Sequence, residues 1–322
     1  MYYIKRRHYW SPFYCWSWEC NFKRYSSRLY SCWKSCESNK VNKPIKMRVA
    51  TLLTCHNRKP KTLACLHSLQ GLIDTDIFLV DDASTDGTSE AVRKHFPNVH
   101  IIEGNGNLFW SRGMYIAWRE AMKGDYDYYL WLNDDIELYP FFFQELMECM
   151  QLGHNECIVS GLIEDLDKKK ILYGGSDTNK RLIQPTNSLQ EITFMNGNVV
   201  LIPKNVVEKI GIIDPVFHHD LGDVDYGLTA QENGVKVYAT RKPIAAGYSN
   251  GVCRVRKWNT SLSGRFKKLY SPLGSHPKIN FYFRKKHFGW PNACVYVVYL
   301  YVLNILPDSI VSAIWGDRYK NK

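Results

Sequence analysis

The chain has 322 residues, 45% of them hydrophobic, with 42 Lys/Arg against 31 Asp/Glu, enough to bury a full core as one large domain or a domain with appendages. The net charge of +11 is unevenly spread: net +8 over residues 1–46, −8 over 47–250 and +11 over 251–322. Basic ends attract nucleic acid, anionic lipid or phosphorylated substrates, but no zinc-finger spacing, stacking motif or basic-region heptad is present, which excludes a nucleic-acid-binding function.

Residues 1–46 hold four Trp, six Tyr and four Cys without any clear period, and no apolar secretory run interrupts them. Cys15, Cys20, Cys32 and Cys36 lack the tight paired spacing of common zinc sites, and the chain's other cysteines lie mostly in apolar runs, as small hydrophobes do in a reducing compartment. A chain beginning at Met47 would open directly on a strand, so residues 1–46 are expected to be an upstream extension outside the fold.

From Met47 the pattern alternates. Arg48–Thr54, Asp76–Val80, Val99–Glu103 and Tyr128–Leu132 read as strands, and Pro60–Leu69, Thr88–His95, Met114–Met122 and Phe141–Leu152 as helices. A βαβαβαβ rhythm predicts an α/β fold with a parallel sheet covered on both faces. Beyond residue 152 the strands become irregular, which predicts a mixed second half. A helix is expected over Val224–Asn233. The apolar run from Ala293 to Leu306 follows the basic cluster Arg284-Lys285-Lys286. At about 14 residues it falls short of the roughly 20 of a spanning helix, leaving an interfacial segment or a buried core helix.

Two strands end in acid pairs, Asp81-Asp82 and Asp134-Asp135. Carboxylates at the carboxyl edge of an open α/β sheet sit where such folds bind ligands, and they are the oxygen donors that Mg²⁺ prefers. Asp86-Gly87 reads as a turn, with Ser84 or Thr85 free to cap the following helix. The acids at 134 and 135 would otherwise read as a helix cap before Pro140. Gly104-Asn105-Gly106 lacks the third glycine of a dinucleotide fingerprint, since Phe109 stands there, so a nicotinamide site is set aside.

Together these motifs resemble family 2 glycosyltransferases. The resemblance rests on Thr54-Cys55-His56-Asn57-Arg58, Val80-Asp81-Asp82-Ala83-Ser84-Thr85-Asp86-Gly87-Thr88, Asn133-Asp134-Asp135, Asn196-Gly197-Asn198 and Gly222-Asp223-Val224-Asp225, in that order over residues 47–250. It implies the GT-A fold, a Rossmann-like nucleotide-diphospho-sugar transferase with a mixed central sheet, here followed by a helical C-terminal tail. The tail with Arg284-Lys285-Lys286-His287-Phe288-Gly289-Trp290 is similar to that of a bacterial surface-polysaccharide subgroup rich in rhamnosyltransferases.

The resemblance further implies roles. Thr54, His56 and Arg58 would line the nucleotide pocket. Asp81 would bond the base, with Asp82 and Ser84 beside it, and Asn105 would border the donor. Asn133, Asp134 and Asp135 stand in place of the Asp-x-Asp motif, Asn133 and Asp135 as ligands of Mg²⁺ or Mn²⁺ and Asp134 in the donor site. Asn198 would face sugar or acceptor, and Asp223 would be the general base of an inverting transfer. Arg112, often glycine in the family, would clamp phosphate or sit solvated at a helix start. Asn133 and Gly222 depart from the family's usual Asp and Glu. No histidine lies in residues 239–255 to complete a metal site, which leaves His276 and His287.

The expected activity is transfer of a sugar from a nucleoside-diphosphate-sugar to a hydroxyl of a glycan or lipid-linked acceptor, in the cytoplasm and peripherally on the inner face of the plasma membrane, held there by the basic C-terminal segment. The alternatives are a nucleotidyltransferase, which would carry a Gly-rich, Lys/Arg-bearing signature after the first strand, and an inactive sugar-nucleotide-binding subunit.

Overall fold

A computed structural model describes residues 47–249, 253–316 and 319. The expectations for residues 1–46 therefore lie outside the described residues, while Met47–Lys322 forms one compact unit.

The elements run β1 (Val49–Cys55), α1 (Lys59–Leu69), β2 (Asp76–Asp81), α2 (Thr88–His95), β3 (His100–Glu103), α3 (Phe109–Ala121), β4 (Tyr128–Leu132), β5 (Glu137–Leu138), α4 (Phe142–Leu152) and β6 (Cys157–Asp165). There follow β7 (Ile171–Tyr173), β8 (Gly175–Ser176), β9 (Gln190–Glu191), β10 (Phe194–Met195), β11 (Val199–Pro203), α5 (Lys204–Ile210), α6 (Gly222–Glu232) and β12 (Lys236–Gly247). The C-terminal segment is helical: α7 (Leu262–Leu269), α8 (Pro277–Ile305) and α9 (Asp308–Trp315).

The main sheet has the order β3-β2-β1-β4-β11-β6-β12-β5. β3, β2, β1 and β4 are mutually parallel, and β11 inserts antiparallel between β4 and β6. The chain runs from β1 outward to β2 and β3 on one side and then crosses back through α3 to β4 on β1's other side, which opens a crevice at the strands' carboxyl ends.

Strand residues alternate between two cores, as a period of two requires. Ala50, Leu52, Tyr129, Trp131, Val200 and Ile202 face Met114, Ala117 and Trp118 of α3 and Tyr226 and Ala230 of α6. Val49, Leu53, Leu130, Leu132, Val199 and Leu201 face Cys65, Leu66 and Leu69 of α1 and Phe142, Leu146 and Cys149 of α4. Burial on both faces is why these strands read as unbroken apolar runs.

Several local expectations change for tertiary reasons. α3 begins at Phe109, five positions before the predicted Met114, because the Asp82 carboxylate from β2's end accepts the Leu108 and Phe109 N–H groups at 2.9 and 3.0 Å. α2 starts at the left-handed N-cap Gly87, and Asp86 just before it accepts the Thr88 N–H at 3.1 Å. Ser84 and Thr85 are bonded across to Asn57 instead, so neither caps that helix. Asp134 and Asp135 lead into a turn and β5, not into a helix.

The apolar C-terminal run lies inside α8, which is broken at Gly289 (φ 82°, ψ 170°) just before Pro291. Arg284, Lys285 and Lys286 are not a free basic cluster. Lys286 pairs with the buried Asp225 of α6, Arg284 stacks 3.4 Å over the Tyr296 ring and Lys285 lies 4.6 Å over Trp290. The buried Asp225 is therefore the anchor that holds α8 against α6.

Candidate active site

The carboxyl ends of β1, β2 and β4, the 104–110 loop, Asn196–Asn198, the start of α6 and residues 270–280 enclose a cavity of 1020 Å³. Thr54, His56, Arg58, Asp82, Asn133, Asp134, Asp135, Asn198 and Asp223 all line it. These positions span 170 residues of sequence, and the crevice between diverging strands is what gathers them.

Two rigid loops form the base of the cavity. The Asp82 carboxylate accepts three backbone N–H groups of the 104–109 loop, including Gly106 at 2.7 Å. The His56 Nδ1–H donates to the Asp82 carbonyl at 2.6 Å, and its Nε2 then accepts from the Asn57 amide at 3.2 Å. Asn57, Ala83, Phe109 and Leu221 hold left-handed backbone with φ between 50° and 72°, a conformation that side-chain-bearing residues keep only where neighbours enforce it.

Asp81 is buried one residue short of the cavity, where it accepts from Ser84 N at 2.9 Å and from the Ser89 hydroxyl. Ser84 and Asn105 likewise do not line the cavity. The Ser84 hydroxyl accepts from Asn57 N, and the exposed Asn105 accepts from Asn107 N. Arg112 points elsewhere and donates to the Pro215 carbonyl at 3.0 Å. The residue beside it, Gly113, makes the close approach: a Cβ there would sit 2.2 Å from Thr54 Oγ1.

Asp134 and Asp135 converge on one point. Arg58 Nη1 donates to Asp134 Oδ1 at 2.8 Å and to Asp135 Oδ2 at 3.0 Å. Burial pushes the Asp134 carboxyl up to about 6, with Arg58 opposing and Asp135 reinforcing the shift. Asn133 is occupied otherwise. Its amide oxygen accepts from Trp110 Nε1 at 2.7 Å and its NH₂ donates to Asn198. Among the described residues no group of three His, Cys, Asp or Glu converges on one point. The two carboxylates facing a shared cationic position are nevertheless the all-oxygen donor set that suits Mg²⁺ or Mn²⁺.

Asp223 lies in the first turn of α6 and lines the same cavity as the acid pair. Its carboxylate accepts Gly197 N and Val224 N, each at 2.9 Å. Desolvation pushes it up to about 6 although these hydrogen bonds pull the other way. A Cβ on Gly222 would meet Ser111 Oγ at 2.5 Å, so tight packing of α6 on α3 explains why no glutamate stands there.

The C-terminal segment closes the cavity with His276, one of the two histidines left as possible metal ligands, and with Arg254, Tyr270, Asn280 and Tyr296, which the sequence did not single out. His218 and His219 join them, and burial lowers the His219 imidazole to about 4. His287 lies elsewhere, held between Asp225 and Glu232.

Residues 51–210 match the family described as Glycosyl transferase family 2. Among solved structures, TarS of S. aureus aligns with a TM-score of 0.52 at 10% identity, covering 84% of this chain and 46% of that chain. Its 1–349 portion aligns at 0.47 and 13% identity, covering 83% of each. A mannosyltransferase, PcManGT from Pyrobaculum calidifontis in complex with GDP-Man and Mn2+, aligns at 0.47 and 16% identity, covering 92% of this chain and 90% of that one. No curated protein matches the chain. The chain spans less than half of the full TarS chain, and the likeness is one of fold. The crevice geometry and the match over residues 51–210 agree, and the fold is that of the GT-A glycosyltransferases.

Proposed function

We propose that the chain is an inverting glycosyltransferase that moves a sugar from a nucleoside-diphosphate-sugar to a hydroxyl of a glycan or lipid-linked acceptor in cell-surface polysaccharide synthesis. The observation that carries this reading is that two acidic groups, the Asp134–Asp135 pair and Asp223, line one cavity. The acceptor oxygen attacks the anomeric carbon, the bond from that carbon to the diphosphate oxygen breaks, and Asp223 takes the hydroxyl proton. One base suffices because no covalent intermediate forms. Its raised pKa keeps it basic enough to accept a proton and still ionised at neutral pH.

Asp134 and Asp135 would hold Mg²⁺ or Mn²⁺, which supplies neutralisation of the charge developing on the departing diphosphate. Arg58 holds the position between the acids, and a metal bound there would release its guanidinium toward a phosphate. Thr54, His56 and Asp82 stand where the nucleotide would lie, with Asp81 and Ser84 fixing the loop beneath it. Asn198, Asn196 and the C-terminal wall face the sugar and acceptor. The sugar is proposed to be rhamnose from a thymidine diphosphate donor, on the resemblance of the tail. The enzyme would work in the cytoplasm, peripherally on the inner face of the plasma membrane.

A thermal-shift screen against UDP-, dTDP- and GDP-sugars, with and without Mn²⁺, tests the reading. Binding at a hundredfold excess over Kd stabilises by about 2.7 kcal/mol. Stabilisation by one nucleotide class, dependent on metal and lost in Asp135→Asn, is the expected result. A folded protein that no nucleotide stabilises would overturn it.

A further inference from the structure

From Phe288 to Gly316 the chain carries one formal charge, Asp308. The fold uses that charge internally: Asp308 pairs with the buried Arg256 and accepts Asn259 N at 3.0 Å. What faces outward is apolar. Val295, Val298, Val302 and Ile305 are 70%, 60%, 43% and 56% exposed, and Ile310 and Ile314 continue the surface on α9. Their spacing places the four α8 residues on one helix face, while Ala293, Leu300 and Leu303 bury the opposite face. A helix face exposed to water ordinarily carries charges, and an uncharged apolar surface running over two helices marks an interaction site.

We propose that this α8–α9 surface lies flat in the headgroup region of an anionic bilayer. This deepens the peripheral-membrane part of the proposed function and rests on it. Charge selects the occupant: residues 251–322 are net +11, and Lys257, Lys267, Lys278 and Lys285 of this segment are exposed. Trp290, exposed under Lys285, supplies the amphipathic aromatic that favours an interface. Geometry selects the orientation. α8 as a whole is long and apolar enough to cross a bilayer, but its first half is fastened to α6 through Lys286 and His287 and the helix breaks at Gly289. The remaining roughly 16 residues reach only about 24 Å, short of the roughly 30 Å hydrocarbon core. An in-plane helix buries one face about 5–10 Å deep. The same half-helix supplies Tyr296 to the cavity wall. The bilayer would therefore meet the protein beside the acceptor side of the site, where a lipid-linked acceptor stays anchored during transfer.

The test is flotation of the full chain with phosphatidylethanolamine–phosphatidylglycerol vesicles and with neutral phosphatidylcholine vesicles, for wild type and for Val298→Asp/Val302→Asp. The expected result is flotation with the anionic vesicles only and at least a tenfold loss in the variant, whose melting temperature and nucleotide-sugar thermal shift stay those of wild type. Equal flotation of variant and wild type overturns the proposal, as does equal binding to neutral vesicles. So does a wild-type dimer in lipid-free buffer that the variant makes monomeric, because a second copy would then be the occupant. The nucleotide-sugar shift, read on the same samples, reports separately on the transferase reading.

Discussion

Asp225→Asn tests the link between the C-terminal helix and the catalytic wall. Asp225 is buried, with its side chain 3% exposed, and it accepts Lys286 Nζ at 2.8 and 2.9 Å and His287 Nε2 at 2.8 Å. Removing one partner of a buried ion pair costs about 3–5 kcal/mol, since the other charge is left uncompensated. The Lys286 side chain keeps 29% exposure, so part of its hydration returns and the lower end, about 3 kcal/mol, applies. At roughly 2–4 °C per kcal/mol for domains of this size, melting should fall by about 6–12 °C. Urea unfolding of D225N, K286M and the double variant provides the assay. The double variant should lose less than the sum of the two, because no orphaned lysine remains. Transfer by D225N, assayed well below its melting point, should also fall, because α6 carries Asp223 two residues away. A D225N loss below about 1 kcal/mol, or strict additivity, would refute the reasoning.

The transfer rate should rise with pH through about 6 as Asp223 ionises, then level off, as a pH–rate profile will show. Asp223→Asn should remove that rise and lower kcat by about 10²–10⁴-fold while leaving donor binding intact. Burial lowers the His287 pKa, but its hydrogen bonds to Asp225 and Glu232 outweigh this and raise it above the usual value. A raised histidine stabilises the fold fully below the unfolded value near 6.5 and loses that contribution as pH climbs through the folded value. Urea midpoints should therefore decline as pH rises above about 6.5, and less steeply in His287→Gln. Gly113→Ala should cost about 1–3 kcal/mol, because the added Cβ falls 2.2 Å from Thr54 Oγ1 and α3 must lift off β1; differential scanning calorimetry checks it.

The sequence by itself determined the sheet and its acidic edge. Strand runs such as Tyr128–Leu132 alternate between two cores, and the helix over Thr88–His95 falls where its periodicity put it. Asp134-Asp135 and Asp223 were legible because short-range motifs bring carboxylates to strand and helix ends. Tertiary structure decided how the charges are used. Asp81 and Asp82 look alike in sequence, yet one bonds Ser84 and Ser89 beneath the site while the other organises the 104–109 loop. Arg58 meets Asp134 and Asp135 across more than 70 residues, Arg112 turns to Pro215, and the Asn133 amide is taken by Trp110. The C-terminal wall was invisible for the same reason. Arg254, Tyr270 and Tyr296 carry no local signal, and Asp225 resembles a helix cap until Lys286 and His287 are folded onto it. A motif records which groups a strand end offers. Which partner each group takes depends on charges and donors from distant segments competing for the same few ångströms, and that competition is resolved only when the sheet, its helices and the C-terminal segment pack together.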